Sequence, residues 1–166
     1  MIFRYIKNQF QKDHDITVED SYTVNMEGKN GETTEIKILD TSGEEDYQNM
    51  LDQWITMANG FLLVFAINDL ETFQALNSKI ERIEKNEAQN LPKILVGNKC
   101  DLKNQRAVSK QQAEEFAKTI KAKYYETSAL EDINVKTVFQ ECANMILGTS
   151  TGKVDDEKGC FKCTVY

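Results

Sequence analysis

The 166-residue chain is poor in proline, histidine and tryptophan, with one residue of each, and it has no long apolar run. Its longest apolar segment, residues 60–67, is far too short to span a bilayer. The first ten residues include Arg4 and Lys7 and lack a secretory pattern. We therefore expect no transmembrane segment and no secretion, and the length fits one compact domain.

Positive charge is also scarce, because 20 lysine and arginine residues face 27 acidic ones and the net charge is −7. Proteins that follow nucleic-acid phosphates carry basic patches, so we expect no nucleic-acid partner and favour partners with basic surfaces. The cysteines Cys100, Cys142, Cys160 and Cys163 lie mostly in helix or strand contexts or near the C-terminus, which indicates reduced intracellular thiols. With one cysteine pair and one histidine, a zinc site is not expected.

Strands alternate with helices in the rhythm of a mostly parallel sheet covered on both faces. Residues 22–27 and 34–40 flank an Asn-Gly turn and are predicted to pair antiparallel. Residues 60–67, 93–98 and 124–127 are predicted to be buried strands. Three apolar stripes at helical spacing predict core-facing helices: Phe73, Leu76, Ile80, Ile83; Ala113, Phe116, Ala117, Ile120; and Val135, Val138, Phe139, Cys142, Met145. Ser109 and Asn134 are the predicted helix N-caps.

Asn98, Lys99 and Asp101 directly follow the strand predicted at residues 93–98, and their chemistry suits recognition of guanine. A carboxylate accepts both guanine N1–H and its 2-amino group, whereas adenine presents an acceptor at the same place and is rejected. The alkyl stem of Lys99 can lie along the base, and the Asn98 amide can brace neighbouring loops. A polar turn after a strand is the alternative interpretation, and the other motifs decide between the two.

Three other segments supply phosphate and metal chemistry. Asp40 ends a predicted strand, where a carboxylate can hold a water of Mg²⁺, and Gly43 can bring its backbone N–H to a γ-phosphate. The hydroxyl of Thr17 can ligate Mg²⁺. Residues 126–129 follow the last predicted strand, where a backbone N–H can donate to the guanine 6-oxo group.

In this order and spacing the four segments resemble the Ras family of small GTPases, over residues 2–147 and again at the last four residues. The resemblance implies a three-layer α/β fold of the P-loop NTPase type in residues 1–148, GTP or GDP as ligand and Mg²⁺ as cofactor. It makes Thr17 the direct metal ligand, Asp40 an acid that holds the metal through water, and Gly43 the γ-phosphate sensor. The base site it implies comprises Asn98, Lys99, Asp101, Ser128 and Ala129, with Phe10 packed against the base.

The resemblance also implies partners: effector domains, an exchange factor and a GTPase-activating protein. Residues 16–22 and 43–54 would be the two switches. Effectors would add a strand beside a segment whose acids steer it toward basic domains. That effector segment comprises Asp15, Ile16, Thr17, Val18, Glu19, Asp20, Ser21 and Tyr22.

One departure concerns the phosphates, since the family's G-x-x-x-x-G-K-[ST] loop occurs nowhere in the sequence. The resemblance places its lysine immediately before residue 1, so we expect an N-terminally truncated domain in which residues 1–10 continue the helix opened by that loop. The missing first strand would lie between residues 34–40 and 60–67, leaving two interior strand edges unpaired and a domain that folds poorly. A non-catalytic interaction module that keeps the effector surface is therefore the alternative to a switch.

Smaller departures affect rate and affinity. Glu44 stands where the family usually has the glutamine that orients the attacking water, and its carboxylate could repel the γ-phosphate or accept a proton. His14 replaces an aromatic residue, Ile16 a proline, Ser42 an alanine and Leu130 a lysine.

The last four residues, Cys163 to Tyr166, form a C-a-a-X box, which predicts prenylation of Cys163 in a flexible tail spanning residues 149–166. The bulk of Tyr166 is nearest to the geranylgeranyl class. Acidic residues balance the lysines of the tail, so palmitoylation of Cys160 is the expected second membrane signal. This anchor would place the protein on the cytoplasmic face of the plasma membrane; an ordinary frayed tail is the alternative.

Overall fold

The computed structural model of this chain describes residues 1–10, 19–27, 33–41, 48–149 and 161–165. Within these ranges six strands form one sheet in the order β1-β2-β6-β3-β4-β5. The strands are β1 (Glu19–Glu27), β2 (Thr33–Thr41), β3 (Gly60–Ala66), β4 (Lys93–Asn98), β5 (Lys123–Glu126) and β6 (Phe161–Val165). The helices are α1 (Ile2–Lys7), α2 (Gln48–Met57), α3 (Leu70–Gln74), α4 (Leu76–Lys85), α5 (Lys110–Thr119) and α6 (Val135–Thr149), with a 3₁₀ turn at Lys103–Gln105.

The pairing of the first two strands confirms the predicted hairpin. β1 and β2 are antiparallel, with Glu19 opposite Thr41 and Glu27 opposite Thr33. All other neighbours in the sheet are parallel, including β3 with β4 and β4 with β5. The α/β fold with a mostly parallel sheet is therefore confirmed.

Two apolar cores lie on opposite faces of the sheet, because alternate side chains of a strand point to opposite sides. Leu62 of β3 belongs to the core that includes α1 and α6, and Leu63 belongs to the core that includes α3, α4 and α5; both leucines are fully buried. The predicted apolar stripes face these cores. Their fully buried members include Leu76, Ile83, Ala113, Ala117, Val135, Val138, Phe139 and Cys142.

Both predicted N-cap residues lie at the starts of their helices. Ser109 caps α5 in a capping box, in which its hydroxyl accepts from the Gln112 N–H at 3.1 Å and Gln112 accepts from the Ser109 N–H at 2.9 Å. Asn134 lies at the N-cap position of α6, where its carbonyl accepts from the Val138 N–H at 3.1 Å, and its side-chain amide donates to the Glu126 carbonyl at 2.9 Å. That bond ties the end of β5 to the start of α6.

The C-terminal segment differs most from prediction. Residues 161–165 form β6, a parallel strand that pairs with β2 from Ile36 to Asp40 and with β3 from Gly60 to Leu62. The prediction of a flexible tail is therefore wrong at these residues, whereas residues 150–160 and 166 lie outside the described ranges. The prediction of two unpaired interior edges is also wrong where β6 pairs, along Ile36 to Asp40 of β2 and Gly60 to Leu62 of β3.

Backbone chemistry explains where β6 lies. Interior strand edges expose N–H and C=O groups whose burial without partners costs free energy, so an extended segment that satisfies both edges is stabilised there. β6 occupies the position between β2 and β3 where the resemblance places the family's first strand.

Candidate functional site

The candidate site lies at the carboxyl ends of β4 and β5, the edge at which ligands bind in open parallel sheets. Asn98 ends β4, and the next residue, Lys99, turns the chain by adopting a left-handed conformation with φ 63°. The N–H of Cys100 then donates to the Thr127 carbonyl beyond β5 at 3.0 Å. The two loops predicted to contact the base are thus joined through their backbones.

A buried hydroxyl orients the Asp101 carboxylate. Ser128 is fully buried, and its Oγ donates to Asp101 Oδ1 at 2.5 Å. The backbone of Ser128 is fixed in turn by reciprocal hydrogen bonds with Ile133, at 3.1 and 3.0 Å. Because one carboxylate oxygen takes the hydroxyl and each oxygen has two lone pairs, Asp101 keeps enough acceptor capacity for two parallel donors such as those of guanine.

A second contact links the same loops, since Thr127 Oγ1 donates to Asn98 Oδ1 at 3.2 Å. This is the bracing role that the sequence suggests for the Asn98 amide. Burial raises the pKa of the Cys100 thiol, and the neighbouring carboxylates of Glu126 and Asp101 raise it further. Cys100 is therefore a neutral packing residue here.

Glu126, at the end of β5, stabilises the two loops of the site through its carboxylate, a role that the sequence did not predict. Its carboxylate accepts from Arg106 Nη1 and Nη2 at 2.8 and 3.0 Å and from the Tyr124 hydroxyl at 2.9 Å. Burial alone would raise the pKa of Glu126, but these hydrogen bonds outweigh it, so the pKa lies below its ordinary value. The i, i+2 spacing of Tyr124 and Glu126 on one strand face was the available signal, whereas nothing local indicates Arg106.

Arg4 is a second anchor that the sequence did not reveal. Its Nε donates to the Ala129 carbonyl at 2.7 Å and its Nη2 to the Leu130 carbonyl at 3.1 Å, joining α1 to the loop after β5. The partners are 125 and 126 residues apart in the chain, so no sequence spacing could predict the pairing.

Phe10 and Asp40 are the described residues among those predicted to contact the far side of the base and the metal. Phe10 follows α1 and is 45% exposed, leaving its ring free to cover a ligand. Asp40 lies near the end of β2, opposite Asp20 of β1 and Val165 of β6. Asp15, Ile16, Thr17, Val18, Gly43, Glu44 and Cys160 lie outside the described residues.

The described residues fit guanine better than they fit Mg²⁺. The acceptor pair of Asp101, oriented by Ser128, matches the donor edge of guanine. For Mg²⁺, the described ranges contain no group of three or more His, Cys, Asp or Glu residues that could hold a metal, and Asp40 is the predicted acid found there. The base half of a nucleotide site is thus supported by geometry.

β1 forms one edge of the sheet, because β2 is its partner among the described strands. Asp20 and Ser21 are exposed on it, and Tyr22 is half-buried and donates from its hydroxyl to Asp20 at 3.2 Å. Burial and the nearby Asp20 carboxylate raise the pKa of Tyr22. The described part of the predicted effector segment is therefore an accessible strand with an acidic side chain.

A mostly parallel sheet covered on both faces, with two polar loops that converge at the carboxyl ends of its strands, places the chain in the class of α/β proteins that bind ligands at that edge. Comparison with known proteins narrows the class. The profile of the Ras family matches residues 1–148. The Ras-like protein RAS2 of Hydra vulgaris is 34% identical over 158 residues, covering 93% of this chain and 81% of that protein. The chain belongs to the Ras family, and is by family a small GTPase.

None of the helices in the described ranges is long and apolar enough to cross a membrane.

Proposed function

We propose that this chain is a Ras-type molecular switch that binds GTP or GDP and presents a different surface to partners in each state. The observation that carries the proposal is the Asp101 carboxylate, which a buried Ser128 hydroxyl orients beside Asn98 and Lys99. Asp101 accepts from guanine N1–H and the 2-amino group, and Lys99 lies along the base. The backbone N–H of Ala129 donates to the 6-oxo group.

The phosphate side of the proposal rests on position in the family pattern. By this pattern the Thr17 hydroxyl would be a ligand of Mg²⁺, the Asp40 carboxylate would hold the metal through water, and Gly43 would sense the γ-phosphate. Bound there, Mg²⁺ would supply positive charge to the phosphate oxygens in the hydrolysis of GTP to GDP and phosphate. Glu44 stands in the sequence where the family usually has the glutamine that orients the attacking water, and its carboxylate would either accept a proton or repel the phosphate.

Substitution of Asp101 by asparagine tests base recognition directly. Asparagine offers an N–H donor where guanine also has a donor, but it matches xanthine, which carries an oxo group at position 2. We expect Asp101→Asn to weaken GDP binding by about 100-fold, the effect of losing hydrogen bonds to a charged group, and to bind xanthosine diphosphate better than GDP. Binding is measured by titration calorimetry.

The matched control is Glu131→Gln, which removes a neighbouring carboxylate. The described contact of Glu131 with the site is the hydrogen bond from its backbone N–H to the Ser128 hydroxyl, which the substitution keeps. This variant should bind GDP as the unaltered chain does. Equal GDP binding by Asp101→Asn and Glu131→Gln, or no preference of the unaltered chain for guanine over adenine nucleotides, would refute the proposal.

The alternative function is a non-catalytic interaction module. It is favoured by one observation, the lack of a G-x-x-x-x-G-K-[ST] sequence in the 166 residues. A switch must gain affinity from the phosphates, whereas a module with base recognition alone should bind GTP, GDP and guanosine about equally. Comparing the three affinities, with phosphate release measured in parallel, distinguishes the two functions.

We also propose the partners that a Ras-type switch requires: effector domains, an exchange factor and a GTPase-activating protein. Effectors dock on residues 15–22 and extend the sheet beside β1. The edge position of β1 and the exposed Asp20 support this site and favour effectors with basic surfaces.

Lipid anchoring at the cytoplasmic face of the plasma membrane is the last part of the proposal, with prenylation of Cys163 and palmitoylation of Cys160. Support comes from the C-a-a-X box alone. Because the backbone of Cys163 pairs with Ile38 and Gly60, the lipid-modified form requires β6 to leave the sheet.

Labelling with a prenyl donor and the purified transferase tests the anchor. The folded chain should be labelled slowly and a free peptide with the same last ten residues rapidly. Labelling of the chain should accelerate when mild denaturant releases β6. A peptide that the transferase ignores would contradict the anchor.

A further inference from the structure

We propose that Arg4 is a positioning residue that sets the direction of the Ala129 N–H in the guanine pocket. This inference deepens the proposed function and rests on it. Arg4 belongs to α1, the helix that precedes Phe10 in the chain, whereas Ala129 belongs to the loop after β5. One side chain therefore connects α1 to this loop.

The guanidinium of Arg4 bonds to three carbonyls. Nε donates to Ala129 at 2.7 Å, Nη2 to Leu130 at 3.1 Å and Nη1 to Asn8 at 3.1 Å. Its planar, rigid fork fixes the relative positions of these carbonyls, which a flexible ammonium group cannot do. Asn8 ends α1 in a left-handed conformation with φ 52°, two residues before Phe10.

The hydrogen bonds of Arg4 help to immobilise the backbone around the Ala129 N–H, the group proposed to donate to the base. The Ala129 N–H belongs to the peptide unit whose carbonyl is that of Ser128, and this carbonyl accepts from the Ile133 N–H at 3.0 Å. Arg4 fixes the next peptide unit through the Ala129 carbonyl. Because its own peptide unit and the next one are both held, the Ala129 N–H has a fixed direction.

Burial agrees with a role at the ligand. Ala129 is only 7% exposed. Within the described ranges its N–H donates to no protein acceptor. This donor is therefore available to a ligand, and a bound oxo group would be a favourable partner for it.

The test compares GDP with 6-thio-GDP, which keeps both donors to Asp101 but replaces the 6-oxo acceptor by a weakly accepting sulfur. In the unaltered chain GDP should bind more tightly. In Arg4→Ala and Arg4→Lys the ratio of the GDP affinity to the 6-thio-GDP affinity should fall toward one. The GDP affinity itself should drop about tenfold, as expected for one lost positioned hydrogen bond. A general loss of stability would lower both affinities equally and leave their ratio unchanged.

The matched control is Lys7→Ala, which removes another cation of α1, one whose ammonium lies 4.6 Å from the centre of the Phe3 ring. It should preserve the GDP to 6-thio-GDP ratio. A second readout needs no nucleotide: hydrogen exchange of the Glu131 and Ile133 amides, which donate to the Ser128 hydroxyl and carbonyl, should accelerate in both Arg4 variants and not in Lys7→Ala.

The outcomes separate the two claims. If the unaltered chain binds no guanine nucleotide, the proposed function is refuted, and unchanged amide exchange in the Arg4 variants would refute the positioning role by itself. If GDP binds and the Arg4 variants keep the preference over 6-thio-GDP, the inference is overturned while the proposed function stands.

Discussion

Replacement of Thr164 by proline tests whether β6 holds the centre of the sheet. Thr164 lies opposite Leu39 of β2 and Phe61 of β3, so its N–H faces a neighbouring strand on one side or the other. Proline has no N–H and is excluded from central strands. The lost ladder bond contributes about 1 kcal/mol, and the acceptor left unpaired in the interior costs about 1–3 kcal/mol more.

We therefore expect the free energy of unfolding to fall by about 2–4 kcal/mol in Thr164→Pro. That loss is large relative to the net free energy that keeps β6 in the sheet. The register of β6 covers five residues of β2 and three of β3, about 8 kcal/mol at about 1 kcal/mol for each position. Ordering the backbone of five residues costs about 5–10 kcal/mol, so the two terms nearly balance.

The assay is urea unfolding followed by the fluorescence of the single tryptophan, Trp54, which is buried with 4% exposure. Thr164→Val is the control, because it keeps both the N–H and the β-branched shape and should unfold near the unaltered chain. Hydrogen exchange of residues 161–165 in the unaltered chain gives a second measurement if the proline variant fails to fold. Equal unfolding midpoints in both variants, or exchange as fast as in a free peptide, would refute the reasoning.

Three further predictions concern the base loops. Because the pKa of Glu126 is lowered on folding, its stabilising effect is complete above its ordinary value of 4.5 and is lost as pH falls through the folded value; Glu126→Gln should flatten the acid side of a stability–pH profile, and an unchanged profile would contradict this. A Cβ at Gly97 would lie 2.8 Å from the Tyr124 hydroxyl, so Gly97→Ala should cost about 1–3 kcal/mol in thermal unfolding. Ser128→Ala removes the hydroxyl that orients Asp101 and should weaken GDP binding about tenfold, which calorimetry would disprove by finding equal affinities.

The parts of the fold that were predictable have local signals. The hairpin of β1 and β2 follows from an Asn-Gly turn between extended segments, and the α5 cap follows from Ser109 three residues before Gln112. The continuous apolar character of residues 60–66 predicted a buried strand correctly.

The parts that were missed depend on contacts between distant residues. β6 is a five-residue strand in a polar tail, and the edges of β2 and β3 select it rather than any periodicity of its own. In the site, the residue types that face guanine form a recognisable motif, but Arg4 and Arg106 act on partners that the fold alone brings near. Asn134 lies at the predicted N-cap position of α6, but the hydrogen bond from its side-chain amide to the Glu126 carbonyl has no local signal, because the fold brings the two residues together.

The contacts that hold the base loops differ from those that hold the end of β2, where Asp40 lies. Ser128 with Asp101 and Arg4 with Ala129 join segments within residues 1–148, and neither bond involves β6. Asp40, in contrast, lies directly opposite Val165 of β6. Release of β6 should therefore disturb the end of β2 while leaving the base loops in place.

This separation gives a prediction that uses guanosine, a ligand with the base and no phosphate. In Thr164→Pro, under conditions where the chain remains folded, guanosine should bind within about twofold of the unaltered affinity, since changes at independent sites add. Amide exchange should rise in β2 around Asp40 and stay constant at residues 128–131. A parallel loss of guanosine binding and of loop protection would show that the base site depends on β6, and that the two halves of this domain form one cooperative unit.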